Sequence, residues 1–228
     1  MNKLTLARLQ AGLLSFFLTA LGLALVAGLV LTDILVLHND LGERSLTEGA
    51  QSAMLGGIVF LFGWCAWHRP AQRGCYLLMA GFFGCLLIRE SDAFFDQIHH
   101  GFWVIPALLL AAASLLAARA HPGTVLAPLA EVMDSRAWSG LVIGMAIVLV
   151  FSRLMGMGVL WHALMGEQFV RGVKNIVEEA TESLGYFVVF SSSFGYALVH
   201  SRLPQTHASA LMSPTPHDTI ASRPQQSR

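Results

Sequence analysis

An apolar run from Ala11 to Leu37, broken only by Asp33 and a few small polar residues, most limits what this chain can fold into. Wound as an α-helix it is roughly 40 Å long, more than the ~30 Å hydrocarbon core of a bilayer. A cleavable signal peptide has an apolar core of only about 7–15 residues. The run therefore reads as an uncleaved first membrane span. Similar segments follow, and six spans are placed at about 10–37, 47–67, 74–97, 102–119, 137–160 and 174–200. The composition agrees: 55% of residues are hydrophobic and 12% charged, against about 25% charged in soluble domains. The expected fold is all-α, a six-transmembrane-helix bundle over residues 1–200. Residues 201–228, polar and rich in Ser and Pro, are expected to form a disordered cytoplasmic tail.

Local signals punctuate the spans. Ser45-Leu-Thr-Glu48 has the capping-box spacing that starts a helix, and Pro70 sits in a basic turn from His68 to Arg73. Gly101 separates the third span from the fourth. The loop at about 120–136 contains two prolines and the modestly amphipathic piece APLAEVM. Cys65, Cys75 and Cys85 lie in or beside apolar runs, form no CxxC pair, and read as small packing residues.

Lys and Arg in short loops set orientation. On the N-terminal side fall Lys3, Arg8, Arg69, Arg73, Arg119, Arg136, Arg202, Arg223 and Arg228. Arg44, Arg171 and Lys174 fall on the other side, and Arg89 and Arg153 lie within spans. Both termini are thus expected in the cytoplasm. The acids are distributed the opposite way: only Glu131, Asp134 and Asp218 are expected inside. Net charge is zero, which suggests no nucleic-acid partner.

Chemistry concentrates in Arg89 to Trp103, RESDAFFDQIHHGFW. On a continuous helix at 100° per residue, Arg89, Asp92, Asp96, His99, His100 and Trp103 share about a third of the circumference. Glu90 points about a quarter-turn away. The sixth span adds Asn175, Glu178, Glu182 and Tyr186 at i, i+3, i+7 and i+11, with Glu179 beside them, and the second adds Glu48, Gln51 and Ser52. Arg89 and Arg153 each stand roughly 22 Å above the inner end of their spans. They are expected to pair with some of Glu90, Asp92, Asp96 and Glu182, because unpaired charge beside lipid is costly.

Acids and imidazoles outnumber these arginines, and crowded carboxylates share protons or bind cations. Three readings follow. In the first, a divalent metal, zinc or manganese, is held by Asp92, Asp96, His99 or His100, and Glu178. Glu182 is then the general base, Arg89 or Arg153 holds an anionic headgroup, and the reaction is hydrolysis of a membrane lipid. In the second, the acids admit a cation or proton to a transport pathway. Against that reading, the inner halves of the spans offer only hydroxyls: Thr19, Ser191 to Ser193 and Tyr196. In the third, a structural or assembly protein uses the cluster as an ionic network. Glu48, Glu90, Glu179 and Tyr186 complete the candidate site.

Some likenesses bear on these readings. Asp92-xxx-Asp96 is similar to the paired aspartates with which intramembrane alcohol phosphotransferases and prenyltransferases hold Mg²⁺-diphosphate. The remainder of those motifs is absent. An outward acid and histidine cluster on a small bundle resembles the zinc-dependent, ceramidase-like membrane hydrolases. Their paired late-span histidines are replaced here by Glu178, Glu179 and Glu182. RESDAFFDQIHHGFW and NIVEEATESLGY resemble segments of uncharacterised bacterial multi-pass inner-membrane proteins. That resemblance implies a bacterial inner-membrane location and no activity.

Overall fold

A computed structural model describes residues 3–39 and 45–201. Asp40, Glu43, Arg44 and the tail from Arg202 onward lie outside the described residues, as does the expectation of disorder there. Among the described residues every regular element is helical. The helices are α1 (Lys3–Leu35), α2 (Leu46–His68), α3 (Arg73–Glu90), α4 (Asp92–Phe95), α5 (Val104–Arg119), α6 (Leu126–Asp134), α7 (Arg136–Ala146), α8 (Ser152–Met155), α9 (Gly158–Met165) and α10 (Arg171–Ser201).

Helix ends follow from local chemistry. The Ser45 hydroxyl accepts from Glu48 N at 3.1 Å, so the capping-box serine does start α2. Asp33 reinforces that start from α1. Its carboxylate, fully buried, accepts from Leu46 N (2.9 Å), Thr47 N (2.8 Å) and Thr47 Oγ1 (2.7 Å). Asp33 is therefore a helix-to-helix tie. Pro70 ends α2 and opens the short 3₁₀ turn Pro70–Gln72.

Four helical stretches are long and apolar enough to cross a membrane: Thr5–Leu35, Leu46–His68, Pro70–Glu90 and Arg136–Met155. The other two expected spans differ from these. α5 is apolar but has 16 residues, roughly 24 Å of helix. α10 has 31 residues, but its first half carries Arg171, Lys174, Glu178, Glu179 and Glu182. The expected third span, 74–97, stops at Glu90. Ser91 takes φ −94°, ψ 23°, and the chain turns. It makes the single turn of α4 and then bends through Gly101, whose φ is +79°. No continuous helix carries Arg89 through to Trp103. Ser and Asp side chains compete with helical backbone bonding, and Asp96 accepts from Gly101 N at 2.8 Å. The fifth span relaxes through a π-helical turn, Ile147–Phe151, and ends at Met155 rather than near 160.

α5, α3, α2, α10 and α7 pack in that order, each on the next, and α1 lies against α10 and α2. The core sits on the central pair, with Leu55, Ile58 and Phe62 from α2 and Tyr186 and Val189 from α10. α7 and α10 cross at two glycines. A Cβ on Gly144 would sit 2.8 Å from Gly185 O, and one on Gly185 would sit 3.0 Å from Gly144 O. Only glycines permit that approach, a pattern common where helices pack in lipid. Outward faces carry large apolar side chains such as Phe16, Leu21, Leu109 and Leu116, as a lipid-facing surface requires.

Candidate carboxylate centre

Four elements meet where α3 ends. α3 contributes Arg89 and Glu90, α10 the stretch from Lys174 to Tyr186, α2 Gln51, and α8 Ser152 and Arg153. On α10, Glu179, Glu182, Ser183 and Tyr186 follow i, i+3, i+4 and i+7 spacing, one face of a helix. That face meets α2. Glu182, Ser183 and Tyr186 are buried, and Glu90 is 8% exposed.

Glu90, Glu179 and Glu182 each bring one carboxylate oxygen within 4.8 Å of the others. Among the described residues this is the one group of three or more acid, histidine or cysteine side chains that converges so. At that separation two like charges repel by roughly 3–4 kcal/mol at an effective dielectric constant near 20. Neighbours offset part of this. Arg153 forms an ion pair with Glu182 and lies 3.4 Å from Glu178. Ser152 Oγ donates to Glu182 at 3.2 Å. Lys174 donates to Glu178 at 2.8 Å. Tyr186 OH donates to Glu90 at 2.8 Å, and Arg89 lies 3.7 Å from the same oxygen. Gln51 Nε2 donates to Glu179 Oε2 at 3.2 Å and to Ser183 Oγ at 2.9 Å. Four carboxylates thus face three cationic side chains, and one negative charge is left over.

Two further features adjoin the carboxylates. Gln51 is fully buried, and its Oε1 has no hydrogen-bond partner among the described residues. An acceptor oxygen left so costs about 1–3 kcal/mol. It belongs to the amide whose nitrogen already holds Glu179. A polar cleft of about 340 Å³ also reaches Glu90, between Ser45, Glu48 and Ser52 on one side and Ser91 and Phe94 on the other. The three carboxylates have the chemistry of a hard-cation site. Opposite oxygens around a six-coordinate ion with bonds of about 2.3–2.6 Å stand up to about 5 Å apart.

The residues singled out in sequence are distributed unevenly. Glu90, Glu179 and Glu182 come together, with Tyr186, Arg89 and Arg153 in contact with them. Glu178 stands beside them in the Arg153 and Lys174 pairs. Glu48 lines the cleft. Asp92, Asp96, His99 and His100 do not join the group. They lie beyond Ser91, in α4 and the turn after it, and Asp96, His99 and His100 have local partners. Asp96 Oδ2 is 2.8 Å from His100 Nδ1, and His99 Nδ1 is 2.7 Å from His100 O. The His100 side chain is 97% exposed. The pairing expected of the two arginines occurs, with Glu90 for Arg89 and with Glu182 for Arg153. Ser152, Ser183 and Lys174 escaped the sequence reading. The i, i+4 spacing of Lys174 and Glu178 was an available signal for the last. No protein family matches the chain, and no curated protein or solved structure does either.

Proposed function

We propose that this is a multi-pass protein of the bacterial inner membrane that binds a divalent cation at Glu90, Glu179 and Glu182 and acts on membrane lipid. In this reading six segments cross the bilayer and both termini are cytoplasmic, which supports an outward centre. The observation that carries the proposal is the convergence of three carboxylates, short of one positive charge, beside the unpartnered Gln51 oxygen. Manganese suits such an all-carboxylate donor set better than zinc, which favours nitrogen and sulfur donors that these three glutamates do not supply. A bound ion would supply Lewis-acid polarisation and a water of lowered pKa, the requirements for hydrolysing an ester or amide. Arg89 and Arg153 balance the acids and face an anionic headgroup. Glu182, already paired with Arg153, serves as a ligand in preference to a general base. The donors Asp92, Asp96, His99 and His100 are replaced in this role by Glu90 and Glu179.

Metal analysis of the purified protein tests this directly. Stoichiometric zinc or manganese, lost in Glu90→Gln and Glu179→Gln but kept in Asp96→Asn, is the expected result. A folded wild-type protein without metal after incubation with either ion would sink the proposal.

A second reading, passage of a proton or cation, gains support from the inner end. Glu131 and Asp134 of α6 line a pocket of about 760 Å³ with Thr19, Ser191, Ser192 and Tyr196. Glu131 and Asp134, the acids expected on the inner side, thus line one pocket with the hydroxyls of the spans' inner halves. Glu131 accepts from Gln72 at 2.7 Å, Gln72 accepts from Tyr76 at 2.8 Å, and Tyr76 OH is 3.4 Å from Tyr196 OH. Along α10, Tyr196 is roughly 15 Å from Tyr186. The layer between holds Ile58, Phe62, Val189 and the buried Ser193, whose Oγ has no partner among the described residues. Proton flux into vesicles that disappears in both Glu179→Gln and Tyr196→Phe would favour this reading.

A further inference from the structure

α3 and α7 face each other across an apolar gap. Between them lies an apolar crevice of about 400 Å³, lined from α3 by Leu78, Met79 and Phe82 and from α7 by Leu141, Val142 and Met145. Val125 and Leu129 close its inner end. That floor is pinned in place, because Thr124 accepts from Gly74 N (2.9 Å) and Cys75 N (3.0 Å). Water has almost no polar partner there, so the crevice suits an apolar occupant. Its sides remain open: Phe82 is 49% exposed and Val142 45%.

The crevice and the centre share an axis. Phe82 is seven residues before Arg89 and Met145 eight before Arg153, a rise of roughly 10–12 Å in each helix. A lipid tail spans about half of a ~30 Å core. A tail starting at the arginines therefore enters the crevice and ends near Leu78 and Met79. Charge selects the headgroup. The centre's four carboxylates and three cations leave one negative charge, which repels an anion. A divalent cation reverses that to one positive charge, which an anionic headgroup neutralises.

From this geometry we infer that the α3–α7 crevice holds one acyl chain of an anionic phospholipid, whose headgroup binds at the centre together with the divalent cation. The headgroup half rests on the proposed cation site, whereas the tail half rests on the crevice alone. Cation and anionic lipid then strengthen each other's binding, as linkage requires.

The full chain in vesicles of phosphatidylglycerol carrying a diazirine on its acyl chain provides the test, with phosphatidylcholine of the same chain for comparison. With Mn²⁺ present, Met79, Phe82 and Met145 should take label several-fold above the lipid-facing Leu21 and Leu109. That excess should fall with phosphatidylcholine or on chelation. Val142→Trp and Leu78→Trp, each filling the crevice, should lose the excess and keep Mn²⁺ binding. Crevice label equal to that of Leu21 and Leu109 overturns the inference, as does label unmoved by both tryptophans. Cross-links between two copies through Met79 or Met145 also overturn it, because a second chain then covers the crevice. Crevice label lost in both tryptophan variants, with no Mn²⁺ bound by the wild type and no headgroup preference, supports the tail site and removes the cation reading.

Discussion

Two acidic regions lie within a few residues of each other and behave differently. The segment from Asp92 to His100 is dense in acids and imidazoles along the chain, yet Asp96 pairs locally with His100, His99 meets the His100 carbonyl, and His100 stands almost wholly in solvent. The centre at Glu90, Glu179 and Glu182 is drawn from two helices far apart in sequence, supported by Gln51 and Arg153 from two more, with Glu90 and Glu182 buried and Glu179 half-buried. Linear density of charge reports little about convergence. Loops tolerate charge because water solvates it, whereas buried charge persists only where other elements supply partners.

The largest expected effect separates the regions by stability. Glu182→Ala removes the principal partner of Arg153 and an acceptor of Ser152. Removing one member of a buried pair costs about 3–5 kcal/mol. Arg153 keeps Glu178 and its side chain is 44% exposed, so about 2–3 kcal/mol is expected. Urea unfolding in detergent measures it. A cost no greater than that of Asp96→Ala would erase the distinction between the two regions.

Next in size is the Glu90 support. Tyr186→Phe leaves the ring packed and deletes a hydrogen bond to a carboxylate, a loss of about 1.5–3 kcal/mol. If Glu90 serves only to hold α3 to α10, the loss appears in stability alone. If it holds a cation, affinity for Mn²⁺ falls as well, by roughly 10-fold or more, the scale seen when groups orienting metal ligands are removed. Titration calorimetry on the purified variant distinguishes the two.

A third acid sharpens the comparison from outside it. Asp33 is as buried as Glu182, but it faces backbone donors at the start of α2 and, among the described residues, converges with no other carboxylate. Asp33→Ala should cost about 1–2 kcal/mol, the scale of a lost helix cap, and leave metal content unchanged. Metal loss with a folded protein would place Asp33 in the centre's function.

Why the helical fold was legible and the site only in part follows from range. Apolar length and the Ser45 box are local, and both translate directly into helices. The stripe from Arg89 to Trp103 assumed one phase through Ser91, and a single turn there redirected every residue beyond. Glu179 and Glu178 adjoin, so spacing along one helix pointed to Glu178 and left Glu179 at the margin. Which of the two faces Glu90 depends on how α10 is set against α2 and α7. The Gly144–Gly185 approach fixes that crossing, and no pattern within α10 announces it. At α5 the apolar stretch is present and the helix has 16 residues, short of the length that marks the four long apolar helices.

The smallest effect belongs to the loop. His100→Ala removes a solvent-exposed partner of Asp96, and exposed pairs contribute about 0–1 kcal/mol. Asp96 keeps the amide of Gly101, so the turn needs no imidazole. A change within about 0.5 kcal/mol is expected in unfolding, with metal content and lipid labelling of the crevice both unaltered. The measurement is sharper than its size suggests. Were the four donors of this loop the metal ligands, losing His100 would lower metal affinity at least tenfold while barely moving stability. That one combination would return the function to the loop and leave Glu90, Glu179 and Glu182 as a charged joint between helices.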